Sequence, residues 1–184
     1  MHKGCSSLNC IKIIVPMNPC RCGKYLDDPT KCTCTPTMIR SYQGRISGAL
    51  LDRMDIYSYS SKISEEALLD TIHGESGSES VIWRDRISEL WDIQYERCDQ
   101  MGIPRMKNGE CQDASLGDLF RIGEKESQYA ALSSHNLGLS VRGLKRLLRL
   151  SRTIADLDGS KDVKVDHITE ALSFRLPNWS EKKS

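Results

Sequence analysis

The chain has 184 residues, room for one ordinary domain or two small ones, and its 26 basic against 25 acidic side chains create no global field that would draw it to nucleic acid or anionic lipid. The stretch Ile13–Met17 falls far short of the roughly 18 apolar residues that argue for a membrane span, no other stretch comes close, and the N-terminus lacks a signal-peptide layout. A soluble, cytoplasmic protein with no membrane partner is expected, in which a reducing environment leaves the eight cysteines free for metal rather than for disulfides.

Residues 1–10 show no pattern. Ile11 to Val15 is a short, mostly β-branched run stopped by Pro16 and Pro19, which reads as a buried strand feeding a loop. The segment 20–34 follows, rich in Asp, Pro, Lys and Thr as a small hairpin-like excursion would be. Thr35 as N-cap and Pro36 in the first turn predict a helix through Tyr42, and the spacing of Ile46, Leu50, Leu51 and Met54 predicts a short helix over 46–53 with Arg45 and Arg53 at its ends. Polar, Gly- and Ser-rich sequence from Ser58 to Ser80, broken by a short apolar piece from Ala67 to Ile72, marks a boundary between two parts.

Beyond it the chain reads helical. Ser80 to Cys98 places Ile87, Leu90, Trp91 and Tyr95 on one side, 99–116 is irregular, and Leu119 to Leu132 is helical again. The clearest helix is 141–157, capped by Ser140 and ended by Gly159, with Leu144, Leu147, Leu148, Ile154 and Ala155 on one face. At about 100° per residue, Arg142, Lys145, Arg146 and Arg149 fall opposite that stripe. A last helix is expected from Asp166 as N-cap, burying Ile168, Ala171 and Leu172.

Two Cys-x-Cys pairs, Cys20/Cys22 and Cys32/Cys34, can converge on one tetrahedral zinc ion if the intervening residues fold back. Four thiolates would leave no open coordination position, so such a zinc is structural; free thiols or a redox pair are the plainer alternatives. Cys5, Cys10, Cys98 and Cys111 have no metal-like spacing and read as packed or surface thiols. The sequence contains no G-x-x-x-x-G-K-[ST], no H-E-x-x-H, no G-x-S-x-G, and no hydrophobic run ending in Asp-Glu for Mg²⁺. His2, His73, His135 and His167 are scattered and read as surface or capping residues. By itself the chain is not expected to hydrolyse ATP.

IVPMNPCRC at 14–22, Cys32-x-Cys34, Tyr42, RISGALLDRMD at 45–55, GES at 74–76 and LSVRGLKRLLRLSRTIADLDG at 139–159 closely resemble the magnesium-chelatase-like AAA+ ATPases, within them the competence proteins of the YifB and ComM type. The resemblance runs in order from about residue 11 to about 176 and corresponds to the C-terminal part of such proteins, so that the Walker A and Walker B segments would lie upstream of Met1. It implies a mostly α fold with a small β component. Residues 11–74 would be the C-terminal end of an AAA+ α/β module with the four-cysteine hairpin inserted at 20–34, and 75–184 a helical lid bundle.

The resemblance further implies that Asn18 is the polar sensor placing the attacking water, Arg53 the arginine finger reaching a neighbouring subunit's nucleotide, and Arg142 the second sensor touching the γ-phosphate from the lid. It implies Mg-ATP, a hexameric ring and DNA remodelling by branch migration. Phosphoryl transfer is catalysed largely by positioning and by cationic charge, so these residue types suit these tasks. Without the resemblance, Asn18 before Pro19 is simply turn chemistry, and Arg53, Arg142 and their basic neighbours are solvated surface. Arg21, Lys24 and Ala49 stand where the family pattern has Pro, an aromatic and Pro. The first two make the hairpin more basic, which suits a second reading: a non-enzymatic, zinc-stabilised nucleic-acid-binding module using Arg21, Lys24 and the 142–149 face. A metal-insertion subunit of a true magnesium chelatase is a third, less favoured because the four-cysteine hairpin is associated with the competence-protein branch.

Overall fold

A computed structural model describes residues 13–60, 63–65, 68, 69, 72, 79–111 and 116–175. The expectations for 1–12 and for most of the 58–80 segment lie outside the described residues. The chain divides into two compact units, Met1–Arg45 and Ile46–Ser184.

In the first unit Ile13–Val15 has no regular secondary structure and forms no β-bridge among the described residues, and Ile14 is 92% exposed, so the described part of the expected buried strand is not formed. A β-branched run makes a strand only when a neighbouring edge satisfies its backbone and covers a face. A turn follows, with the Gly23 N–H donating to the Cys20 carbonyl at 3.1 Å, then a 3₁₀ turn over Pro29–Lys31. Helix α1 spans Pro36–Gln43 as expected, and the Thr35 hydroxyl accepts from the Met38 N–H at 3.3 Å. Among the described side chains of this unit, only Cys20 and Ile39 are buried.

The second unit is helical. The expected 46–53 helix shrinks to α2, Gly48–Leu51, because Ser47 takes the N-cap position and accepts from the Leu50 N–H at 3.2 Å. Helix α3 spans Glu79–Gln100. Its expected apolar side is packed only towards the C-terminal end: Ile87 and Trp91 are exposed and Leu90 and Tyr95 half-buried, whereas Gln94 and Cys98, which continue the same stripe, and Arg97 beside it are buried. A 3₁₀ turn at Asn108–Glu110 lies in the irregular stretch.

The expected single helix over 119–132 is two helices, α4 (Leu116–Phe120) and α5 (Glu124–Asn136). Between them Arg121 has φ 52°, a left-handed conformation that L-residues adopt at a cost. It is held because the Ile122 N–H returns to Gly117 O at 2.9 Å and the Arg121 carbonyl accepts from Val163 N–H at 3.2 Å. The small β component reduces, among the described residues, to the isolated parallel bridge Ile122–Val163.

Helix α6, Val141–Leu157, starts and ends as its sequence dictates, with the Ser140 hydroxyl accepting from Gly143 N–H at 3.0 Å and Gly159 just past its end. Leu147, Ile154 and Ala155 are buried with Ala130, Val163, Ile168 and Ala171 in the main core; a second cluster gathers Cys111, Leu116, Leu119 and Phe120, and Leu148 touches both. Helix α7 spans Val165–Ser173, so Lys164 and not Asp166 holds the N-cap position. The Lys164 N–H donates to His167 Nδ1 at 3.0 Å, which makes His167 the capping group, while Asp166 sits in the first turn where a helix favours negative charge.

A polar cluster crosses the packed side of α6. The Asp156 carboxylate accepts from Arg97, from Arg152 Nε at 3.0 Å and from Asn108 Nδ2 at 2.9 Å. Asn108 also accepts from Arg97 at 3.0 Å and donates its N–H to Gln94 at 2.9 Å. Arg152, 1% exposed, spends its remaining donors on the carbonyls of Phe120, Ser160 and Lys161 at 2.6–3.0 Å. Burial pulls its pKa down and the Asp156 carboxylate partly restores it. A buried guanidinium is tolerable only when every donor is used in this way.

Candidate metal centre and nucleotide-site residues

The Sγ atoms of Cys20 and Cys22 lie 3.4 Å apart, Cys20 and Cys32 3.8 Å, and Cys22 and Cys32 3.5 Å. Together with Cys34 all four ligand atoms fall within 4.8 Å of one another, and they form the one such cluster found among the described residues. A tetrahedron with zinc–sulfur bonds of about 2.3 Å has edges of about 3.8 Å, so the donor set fits a four-thiolate zinc ion. The fold-back that brings the pairs together relies on Gly23, whose φ of 80° a side chain would strain.

Charge within the cluster is uneven. Donation from the Lys24 backbone N–H and then the Cys20 thiol holds Cys22 down at about 5. Cys32 is pushed up to about 11: the Cys34 backbone N–H is its largest single influence and lowers it, but desolvation and the Cys22 and Cys20 sulfurs outweigh it, and Cys34 is raised in the same manner. One thiolate forms easily and then opposes the next, which a bound cation would relieve. The other described cysteines behave as packed thiols: Cys98 and Cys111 are buried and donate to the carbonyls of Met106 and Lys107.

Asn18 belongs to the first unit, exposed, with its side-chain carbon 3.9 Å from where a Cβ on Gly23 would stand. Arg53 and Arg142 belong to the second, and both are exposed. Arg53 Nη1 donates to the Ala49 carbonyl at 2.7 Å, one turn back. Arg142 sits in the first turn of α6, and no hydrogen bond or ion pair engages its side chain among the described residues.

The 142–149 face is not the open basic surface that its helical spacing suggests. Arg146 donates to the Arg53 carbonyl and to Asp55 Oδ1 at 2.6 Å, and Arg149 donates to the Cys111 carbonyl at 2.7 Å. A ring of contacts therefore surrounds Arg53 that sequence reading missed. Ser140 Oγ donates to Asp52 Oδ1 at 2.6 Å, buried Arg175 donates to the carbonyls of Met54 and Asp55 at 2.5 and 2.9 Å, and Tyr57 N–H donates to Phe174 O at 2.8 Å. Their partners are 88 to 121 residues apart, beyond any local periodicity.

A helical unit built on α6, preceded by a four-cysteine clip, defines the class. Residues 77–175 match the family described as magnesium chelatase, subunit ChlI C-terminal, and residues 7–68 match the one described as magnesium chelatase, subunit ChlI. The chain belongs to the magnesium-chelatase-like family that includes ComM and YifB. It is 31% identical to the competence protein ComM of Haemophilus influenzae over 164 residues, covering 89% of this chain and 30% of that one. A protein named YifB from Salmonella typhimurium is 29% identical over the same shares, and Rv2897c of Mycobacterium tuberculosis is 30% identical over 89% of this chain and 31% of its own length. The chain thus spans about 30% of the length of these curated relatives. No helix among the described residues is long and apolar enough to cross a membrane.

Proposed function

We propose that this chain supplies the sensor, the arginine finger, the second sensor and the lid of a magnesium-chelatase-like AAA+ ATPase, with the phosphate-binding loop contributed by another polypeptide segment. Its division at about residues 74 and 75, the first part from an α/β module and the second a lid, belongs to this reading. The observation that carries it is Arg142. Arg146, Arg149 and Arg152 on the same helix are engaged internally, yet Arg142 is held in the open at the positive end of α6. A cation there is disfavoured by the helix dipole by about 0.3–1 kcal/mol, a cost offset when an anion such as a terminal phosphate binds to both.

In this reading Asn18 orients the attacking water, Arg53 places positive charge against the γ-phosphate bound by a neighbouring subunit, and Arg142 contacts the same class of group from the lid. The exposed apolar run Ile13–Val15 just before Asn18 supports a strand that pairs with a parallel sheet supplied elsewhere. A zinc ion held by Cys20, Cys22, Cys32 and Cys34 would brace the loop that follows Asn18 and would supply no reactivity, having no open position. Mg-ATP, a hexameric ring in the cytoplasm, and DNA as the remodelled substrate complete the proposal. The relative named as a competence protein supports a use in competence, and branch migration of DNA during transformation is the use this reading assigns.

The test joins residues 11–184 to the phosphate-loop-bearing part of a full-length relative. Arg53→Ala should lower assembly-dependent ATP turnover by about 10³ to 10⁵ while nucleotide binding persists, and Arg142→Ala should also depress turnover. Unchanged turnover in both variants refutes the assignment.

A further inference from the structure

Helix α2, which presents Arg53, cannot hold itself in place. It has four residues and buries none of them, and a single turn is far too short to be stable alone. Its position comes from polar tethers, and the tether nearest to both arginines is the 2.6 Å hydrogen bond from Ser140 Oγ to Asp52 Oδ1. Asp52 directly precedes Arg53, and Ser140 stands two residues before Arg142.

We propose that Asp52 and Ser140 form a positioning pair that joins the arginine-finger turn to the second-sensor helix, so that Arg53 and Arg142 are carried on one rigid body. This rests on the reading of those two arginines as nucleotide-site cations. A hydroxyl has one hydrogen to donate and lone pairs to accept with. Ser140 accepts from the Gly143 N–H at 3.0 Å as the cap of α6 and gives its one hydrogen to Asp52, so capping and joining are separable tasks of one side chain. The joint is closely packed against the first turn of α6: a Cβ on Gly143 would stand in van der Waals contact with Asp52 Oδ1 at 3.5 Å and Arg175 Nη2 at 3.7 Å. On the far side of Arg53, Arg146 holds the Arg53 carbonyl and Asp55 Oδ1, and Arg175 holds the carbonyls of Met54 and Asp55. The finger turn is thereby gripped before and after Arg53, both times by groups of the lid, while the Arg53 side chain stays exposed.

The joint can be broken without removing the cap. Ser140→Asp keeps a strong N-cap acceptor but sets a carboxylate against Asp52, and adding Asp52→Asn restores a donor, with the polarity of the bond reversed. In the zinc-loaded 184-residue chain, native-state hydrogen exchange of the Asp52, Arg53 and Met54 amides should quicken about tenfold in the single variant and return towards wild type in the double variant, while the Leu147 and Leu148 amides stay protected. In the ATP-hydrolysing assembly, kcat should fall with KM unchanged and recover in the double variant. Unaltered exchange at residues 52–54 in the single variant, or a kcat loss that Asp52→Asn does not reverse, would overturn the pair. Normal turnover of the Arg53→Ala and Arg142→Ala assemblies would instead defeat the nucleotide-site reading, whatever the exchange pattern.

Discussion

The two units of this chain are held together by different forces. Among their described side chains, residues 13–45 bury only Cys20 and Ile39, one of them a proposed ligand, whereas the helical unit buries Leu147, Ile154, Ala155, Phe120 and Ile168 and threads a fully bonded ionic cluster between its helices. So small an apolar interior does not offset the chain entropy of thirty-odd residues at about 1–2 kcal/mol each, and the proposed metal at the four thiols would add the order that packing does not supply. The helical unit has instead committed two arginines to one buried carboxylate and depends on that carboxylate remaining charged.

The sharpest way to break this contrast is to remove the metal proposed for the four thiols. Structural zinc in small sites contributes about 10–16 kcal/mol of apparent binding energy, so chelation or Cys20→Ser should abolish the exchange protection of the 20–34 amides. The helical signal at 222 nm and the urea midpoint of the second unit should hardly move. Stoichiometric zinc measured on the purified, reduced chain checks the premise; its absence would leave the first unit without a source of order.

Next in size, Asp156→Ala should lower the stability of the helical unit by about 3–5 kcal/mol, because it strands Arg97 and Arg152 in the interior without an anion. Urea unfolding followed by circular dichroism reads this, and zinc content should be unchanged. A loss no larger than that of a surface substitution would mean that the cluster is not the cost-bearing element it resembles.

The smallest effect belongs to the exposed pair Asp99–Arg105, at 2.6 Å on the outer side of α3. Its bond to Arg105 depresses the Asp99 pKa, so whatever it stabilises is present above the ordinary aspartate pKa and is lost as pH falls through the depressed value. Asp99→Asn should leave the urea midpoint within error at pH 7, where any contribution of the pair is fully present, and at strongly acid pH alike. A clear difference at neutral pH would show that surface charge, too, holds the helical unit.

How much of this was legible depended on distance along the chain. The extent and both ends of α6 follow from its apolar stripe, Ser140 and Gly159, and the thiolate cage follows from two Cys-x-Cys pairs, because each signal lies within a short window. The strand expected over Ile11 to Val15 is not formed by its described part, residues 13–15, since residue types describe a preference and the edge that would realise it is not among the described residues. The α4–α5 break at Arg121 escaped notice because nothing local announces a left-handed arginine; it depends on Val163, more than forty residues away. The polar cluster was missed for the same reason, since Asn108 meets Asp156 across 48 residues. One clue lies within a short window: Arg152 and Asp156 are spaced four apart at the margin of the apolar stripe, where a charged pair can turn inward and bond itself.

The Arg175 tether also sets the order in which the molecule can be completed. Met54 and Asp55 are synthesised 121 and 120 residues before the guanidinium that grips their carbonyls. As the chain emerges from the ribosome, α2 is a single turn with nothing buried to steady it, and it stays so until nearly all of the described helical unit has been made. Contacts of such sequence separation form late and slowly. Arg53 is therefore among the last groups to be fixed, and its turn is not steadied before the helical unit that follows it has folded.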